Sequence, residues 1–483
     1  MVIDALKYQI LQQFGFVPTE EQGQVLDAFA RFLTDRDPHA VMILRGSAGT
    51  GKTSLSGAIV RTLKAIRQKV MLLAPTGRAA KVFSLNSGYP AYTIHRRIYR
   101  EKSFAGVDGQ FNLNDNLFTD TLFMVDEASM ISNLGFGGGN FGSGCLLDDL
   151  VRFVYQGHND RLMLIGDKAQ LPPVGEEESP ALNRMMLEGY GLKVYECDLN
   201  EVLRQSQESG ILYNATVIRQ MITHDDITQL PLIRFKGFAD IVMMPGNELV
   251  ESLANSYYRV GQDETMVITR SNKRANIYNN GIRNMVLDRE EELSCGDMLM
   301  IVKNNYFWTE KERNEAKEAL NAIPPFLANG DRAKVLRVSR HMELYGFRFA
   351  TLLLQFPDYD NYEMSVTALL DTLQSEAPAL THEQQEQLFH GVEEDYQDVP
   401  LKADRMKAIR GDQYFNALQV KYAYAITCHK AQGGQWEHVY VDQGYMTDDM
   451  LTPDYIHWLY TAFTRAKDKL FLVNWPKTQT EQA

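Results

Sequence analysis

Short runs of apolar residues alternate with longer stretches of helical period through the first half of the chain. Val41-Met42-Ile43-Leu44, Val70-Met71-Leu72-Leu73-Ala74, Phe123-Met124-Val125, Leu162-Met163-Leu164-Ile165 and Val194 to Cys197 are strand-length segments. Continuous apolar runs of that length fit parallel strands buried on both faces. Ser54 to Arg67 carries a helical pattern, and Thr19-Glu20-Glu21-Gln22 opens a helix with Thr19 as N-cap and Gln22 at the capping-box position. This alternation predicts an α/β parallel-sheet core to about residue 222. A second core begins near Ala239-Asp240-Ile241-Val242-Met243 and continues at Met266-Val267-Ile268-Thr269. It is interrupted, then resumes at Val439-Tyr440-Val441 and Leu470-Phe471-Leu472-Val473.

Two insertions interrupt the pattern. Between Arg96 and Asp120, Phe104 and Phe111 flank a glycine-bearing turn, which predicts a β-hairpin. From about Glu290 to Lys421 the strand-like runs are Met298 to Val302, Ala333 to Val338 and Phe349 to Leu354, introduced by the turn signals Gly296-Asp297 and Asn329-Gly330. A Gly-rich stretch, Gly135 to Gly144, reads as a flexible loop or as a strand contact through Phe136 or Phe141.

Composition narrows the class. The chain has 483 residues, is 45% hydrophobic and 23% charged, and contains no apolar run near the ~18 residues of a membrane span. Its N-terminus lacks a basic region followed by an apolar one. Cys145, Cys197, Cys295 and Cys428 form no C-x-x-C pair, which points to reduced thiols in a cytoplasmic protein without zinc or an iron–sulfur cluster. The net charge of −13 is local: residues 349–400 hold eleven acids and no Lys or Arg. The acidic segment lies past these strand-like runs and reads either as a solvated face or as the docking point of a protein partner. The rest of the chain is near neutral and compatible with a basic groove.

Gly46-Ser47-Ala48-Gly49-Thr50-Gly51-Lys52-Thr53 matches G-x-x-x-x-G-K-[ST] between a strand and a helix, the setting of a phosphate-binding loop. Its backbone N–H groups close around phosphate, and the helix N-terminus that follows adds positive potential. Lys52 is placed for the β- and γ-phosphates of ATP and the Thr53 hydroxyl for Mg²⁺, with Ser54 next in line. Thr121 to Val125 then ends in Asp126-Glu127, at the carboxyl end of a strand where α/β sheets bind ligands. Asp126 is suited to Mg²⁺ and Glu127 to polarising the attacking water.

Leu164 to Gly175 (motif III), Ala425 to Gly433 (motif V) and Tyr460-Thr461-Ala462-Phe463-Thr464-Arg465-Ala466 (motif VI) complete an ordered set that resembles the superfamily 1 helicases. Ala74-Pro75-Thr76-Gly77-Arg78-Ala79-Ala80 and Thr93-Ile94-His95-Arg96 are similar to the RecD and Dda branch in particular. The resemblance runs from Gln22 to Leu470. It implies two tandem RecA-like cores, residues 1–222 for the first and 223–289 with 422–483 for the second. It also implies a pin-like hairpin at about 97–120 in the first core and a small β-barrel within 290–421 in the second. Gln22 becomes the adenine-reading glutamine, beside the plain capping role. Gln170 becomes a γ-phosphate sensor, and Arg204 and Arg465 arginine fingers.

The activity implied is ATP-dependent 5′→3′ translocation on single-stranded DNA with unwinding of tailed duplex, by a monomer in the cytoplasm or nucleoid. Strand contacts fall to Thr76, Arg78, Thr93 and His95 on the first core and Thr427, His429 and Lys430 on the second; buried structural roles remain open for His95 and His429. Phe104 or Phe111 would stack on the last base pair, or pack on the hairpin itself. The chain departs from the family at Gln435, where many members carry Glu. An RNA-directed ATPase and a nucleotide-gated remodelling subunit are the competing readings.

Overall fold

The computed structural model describes residues 2–104, 109–135, 142–201, 208–224, 227–315, 323–324 and 326–481. Up to residue 199 the strands are β1 (Ala40–Gly46), β2 (Lys69–Ala74), β3 (Ala91–Thr93), β4 (Tyr99–Phe104), β5 (Gly109–Leu113), β6 (Thr121–Val125), β7 (Arg161–Gly166) and β8 (Lys193–Leu199). Six of them form an all-parallel sheet in the order β3-β2-β6-β7-β1-β8. Both faces are covered, so Met42 and Leu44 point to one apolar cluster while Val41 and Ile43 point to the other. This accounts for unbroken apolar runs in place of alternation.

β4 and β5 pair as the expected antiparallel hairpin, with Phe104 opposite Gly109 and Glu101 opposite Phe111. Its turn and the side chains of Phe104 and Phe111 lie outside the described residues, as do Phe136, Phe141 and Arg204.

The second parallel sheet uses β9 (Ile241–Met244) and β10 (Thr265–Thr269), then three strands from the end of the chain. Between them comes a closed barrel of β11 (Met298–Ile301), β12 (Arg332–Leu344), β13 (Phe347–Phe356), β14 (Tyr362–Leu369) and β15 (Leu418–Tyr422). β16 (Ala425–Thr427), β17 (Trp436–Asp442) and β18 (Ala466–Val473) then complete the sheet in the order β16-β10-β17-β18-β9. The fold is therefore α/β, with two parallel-sheet cores, a hairpin in the first and a barrel in the second. A buried cluster ties barrel to core: Asp297, fully buried, accepts from Arg283 Nε at 3.0 Å, Arg289 Nη1 at 2.8 Å and the Tyr424 hydroxyl at 2.9 Å.

Two expectations change. The acidic segment 349–400 does not follow the barrel strands; it contains most of β13, all of β14 and only then the helix His382–Asp395, with the helix Lys402–Arg410 after it. Those helices pack Leu388, Val392 and Ile409 against Phe347 and Phe349 of the β12–β13 hairpin. The helix Gly210–Thr223, expected in the first core, instead buries Ile211, Ala215 and Ile218 with the second core. Its apolar face thus packs across the cleft from β8, in a cluster that also takes in Ala169 and Leu171 of the first core.

Candidate nucleotide site between the two cores

The carboxyl ends of β1, β2, β6, β7 and β8 lie along one edge of the first sheet, and the motifs follow directly from them. β1 delivers the phosphate loop. Gly49 (φ +79°) and Gly51 (φ +77°) adopt the left-handed conformation that glycine tolerates best. A Cβ on Gly46 would lie 3.0 Å from Thr50 Oγ1 and 3.2 Å from Leu199. Lys52 opens the helix Lys52–Ala65 and donates to the Gly46 carbonyl at 3.0 Å, laid across the loop's mouth. Gln22 is engaged at both ends: its oxygen accepts from Thr19 N at 3.1 Å, closing the capping box, and its Nε2 donates to Thr50 O at 3.0 Å. It braces the loop from behind. Ser54 sits exposed at the second position past Lys52 on the same helix.

A cavity of about 440 Å³ opens between the loop and the second core. Lys52, Thr53, Asp126, Glu127, Asp167 and Gln170 line it from the first core, and Gly433, Gln435, Thr464 and Arg465 from the second. Burial, the neighbouring Glu127 charge and the opposing Lys52 charge together leave Asp126 pushed up to about 6. Glu127 holds φ +52°, an uncommon conformation for a non-glycine residue, and its Oε2 is buried without a hydrogen-bond partner among the described residues. Gln170 Oε1 is likewise buried and unpartnered. Native interiors rarely leave such atoms unpaired. A carboxylate and an amide oxygen held open over a phosphate loop, with Asp126 and Thr53 lining the same cavity, suit a hydrated magnesium–triphosphate group.

The second core closes this cavity through contacts that sequence patterns do not reveal. Tyr460, 1% exposed, accepts from the Ala48 amide at 3.0 Å and donates to Asp167 Oδ2 at 2.6 Å. Motif III is fastened on both sides of Gln170. His457 Nδ1 lies 2.9 Å from Ala169 O, Thr461 Oγ1 accepts from Leu171 N at 2.8 Å, and Gln432 Nε2 donates to Leu171 O at 2.7 Å. Ala169 and Leu171 are accordingly part of the second core's apolar cluster. Arg219, on the helix Gly210–Thr223, donates to Ser47 Oγ. Asp167 and Tyr460 stand inside motifs III and VI; Arg219 carries no sequence signal. Arg465, 3% exposed, lines the cavity while donating to Thr461 O, Gly434 O and Thr464 Oγ1 at 3.0, 3.2 and 3.1 Å.

The residues expected to grip a strand divide. Thr76 and Thr93 cap the helices Gly77–Ser87 and Ile94–Ile98, accepting from Ala79 N at 3.2 Å and Arg96 N at 3.4 Å. Burial pulls His95 down to about 4, so it is neutral at physiological pH, and its ring packs 5.6 Å from Tyr99. Thr427 caps the short helix Cys428–Ala431 with no side-chain cap bond, His429 is exposed, and burial brings Lys430 down to about 8. Arg78 takes another course. It crosses to the second core, donates to Gln435 O at 2.7 Å and lies 4.4 Å from the Trp436 ring centre. The side chain at the departing position 435 is exposed, while its carbonyl takes this bond.

Residues 19–226 match the AAA domain family and residues 422–473 the UvrD-like helicase C-terminal domain. The ATP-dependent RecD2 DNA helicase of Deinococcus radiodurans is 31% identical over 157 residues, 32% of this chain and 18% of that protein. The ATP-dependent DNA helicase dda of Enterobacteria phage T4 is 23% identical over 292 residues, 59% of this chain and 60% of that one. A Pif1 helicase from Bacteroides, solved with ADP-AlF3 and single-stranded DNA, has a TM-score of 0.47 at 13% identity, covering 97% of this chain and 95% of that one. The matched region spans less than a fifth of the RecD2 helicase and of an uncharacterised Methanocaldococcus jannaschii protein, 18% and 14% of their lengths.

Proposed function

We propose that this chain is a superfamily 1 helicase of the RecD and Dda branch, an ATP-driven motor that moves 5′→3′ on single-stranded DNA and separates duplex strands, a reading supported by the matches to the AAA and UvrD-like C-terminal domains. The observation that carries the reading is the shared cavity. Its floor is a phosphate loop on one core and its lid is motifs V and VI on the other, so a nucleotide bound there bridges two bodies.

Lys52 and the loop amides bind the β- and γ-phosphates, and Glu127 orients the attacking water through the oxygen that is otherwise unpartnered. Thr53 and Asp126 would hold Mg²⁺, which supplies charge neutralisation when bound. Arg465 already lines the cavity; releasing its bonds to Gly434 O and Thr464 Oγ1 lets the guanidinium turn to the transferring phosphoryl group. Arg204 is proposed as a second finger on motif grounds alone. An arginine finger is worth roughly 10³–10⁵ in rate. Gln170, flanked by residues fastened to the second core, passes loss of the γ-phosphate directly across the cleft. Each turnover then biases one hinge between open and closed forms.

The strand is proposed to run over the helix N-termini at Thr76, Thr93 and Thr427 with Lys430 beside them, contacts that position phosphate and read no sequence. The β4–β5 hairpin serves as the pin. Unwinding of a duplex with a 5′ single-stranded tail, compared with a 3′ tail, tests the assignment. Wild type is expected to open only the former, and Lys52→Ala neither. Opening of the 3′-tailed substrate alone would overturn the polarity.

A further inference from the structure

A second cavity, of about 450 Å³, lies where three bodies meet: the helix Gly77–Ser87 of the first core, the loop before β10 in the second, and the start of β12 in the barrel. Val82, Asn86, Gln435 and Lys467 line both this cavity and the nucleotide cavity, so the two are adjacent. Its wall contains Arg332, only 4% exposed. Arg332 Nη1 donates to Asp263 O at 2.9 Å, and Nη2 stands 3.6 Å from Asp263 Oδ1, beyond hydrogen-bond range. Nε and Nη2, the edge with which a guanidinium grips an oxyanion in bidentate fashion, are buried and have no hydrogen-bond partner among the described residues.

An opposite deficit sits in the same cavity. Asp358 Oδ1 lies 3.8 Å from Lys81 Nζ, but its Oδ2 is buried without a donor among the described residues. Glu264 Oε2, 3.7 Å from Lys467 Nζ, also lacks a hydrogen bond. Arg78 lines the cavity too and is pulled down to about 10, first by burial and then by the nearby Arg332 charge. Unpaired buried donors and unpaired buried acceptors in one space are each costly. One kind of small ligand answers both: an oxyanion that also carries a proton.

We propose that this cavity binds hydrogen phosphate, with Arg332 Nε and Nη2 donating to two of its oxygens and its P–OH donating to Asp358 Oδ2, and that it receives the phosphate released in the nucleotide cavity. No bond is made or broken there; the site is a waypoint for a product. Sulfate has the same shape but no proton at neutral pH, so Asp358 would repel it. The assignment of source rests on the ATPase reading, whereas the binding chemistry does not.

The full chain is held with ADP and beryllium fluoride, which fill the nucleotide cavity, and titrated with inorganic phosphate or sulfate. Phosphate is expected to bind about tenfold or more tightly than sulfate, the worth of one charge-assisted hydrogen bond. Arg332→Gln is expected to weaken phosphate by a similar factor, and Asp358→Asn to bring the two anions together. Equal binding of both anions by wild type, or wild-type phosphate affinity in Arg332→Gln, would overturn the site; Asp358→Asn carries the test if Arg332→Gln does not fold. Single-turnover phosphate release then tests the source, with slower or faster release at an unchanged cleavage rate expected in Arg332→Gln. Weakened oligonucleotide binding with release untouched would show that the anion is a DNA phosphate and overturn the product assignment. A chain that binds phosphate as described but hydrolyses no ATP would leave the binding site standing and remove only the functional reading.

Discussion

The Tyr460 hydroxyl of the second core donates to Asp167 of the first at 2.6 Å while accepting from the phosphate-loop amide of Ala48 at 3.0 Å. One oxygen thus joins motifs I, III and VI. Tyr460→Phe keeps the buried ring but leaves both partners unsatisfied, at about 1–3 kcal/mol each. The expected outcome is a fall in kcat of roughly 10- to 100-fold with little change in the KM for ATP, measured at saturating oligonucleotide. An unchanged kcat would show that the bridge is merely structural.

Glu127→Gln retains the shape of the side chain but cannot accept a proton. Turnover should drop by about 10²–10⁴, the usual contribution of a general base, while a fluorescent ATP analogue binds as before. Lost binding together with lost turnover would place Glu127 in nucleotide affinity instead.

Asp331 offers a pH test of how the barrel meets the first core. It accepts from Tyr359 and from the Ala328 amide, both at 2.7 Å, and its Oδ1 reaches to 2.6 Å from where a Cβ on Gly77 would stand, at the head of the helix that follows Thr76. Burial pushes it up to about 7 from the ordinary 3.8, against those two hydrogen bonds. Between about pH 4 and about pH 7 the folded chain therefore holds a proton that the unfolded chain has lost, so stability falls as pH rises through that window and is flat above it. Urea unfolding of wild type beside Asp331→Asn should show the wild type losing ground from about pH 4 to about pH 7. A constant difference across that range would mean that Asp331 does not titrate there.

Arg78 is placed to hold the cores together by its stack on Trp436 and its bond to Gln435 O. The stack is worth about 0.5–2 kcal/mol. Arg78→Ala should therefore raise the KM for ATP by roughly 3- to 10-fold, since closure over the nucleotide loses an inter-core contact. A selective loss of oligonucleotide affinity would return Arg78 to the strand.

What could be read from the sequence is what is local. The phosphate loop, the strand ending at Asp126 and the capping box at Thr19 and Gln22 are each contained within about eight residues, and their physics is complete at that range. The two cores follow because buried parallel strands have a distinctive apolar run. β14 alternates Met364, Val366 and Ala368 inward with Glu363 and Ser365 outward, a clear period of two that the acidity around it disguises. β3, three residues long, is below the length at which periodicity means anything. Tyr460 with Asp167, Arg219 with Ser47, and Arg78 with Gln435 are relations across hundreds of residues, created only when the cores meet. The destination of the helix Gly210–Thr223 is of the same kind, because its amphipathic stripe says that it packs but not on which sheet.

The barrel leaves a further mark on what this chain can become. Leu369, at the end of β14, is paired with Gln419, near the start of β15, so the acidic excursion departs and returns at neighbouring points. Beyond Leu373, such an excursion can be lengthened, shortened or exchanged without shifting the register of any strand, provided that Phe347 and Phe349 remain covered; Leu370 and Leu373 belong to the main buried cluster, and Thr372 Oγ1 bonds to Val420. The chain therefore contains a ready site for grafting a foreign module at fixed distance from the barrel, and any adaptation to new surroundings has room to accumulate there while the two parallel-sheet cores stay as they are.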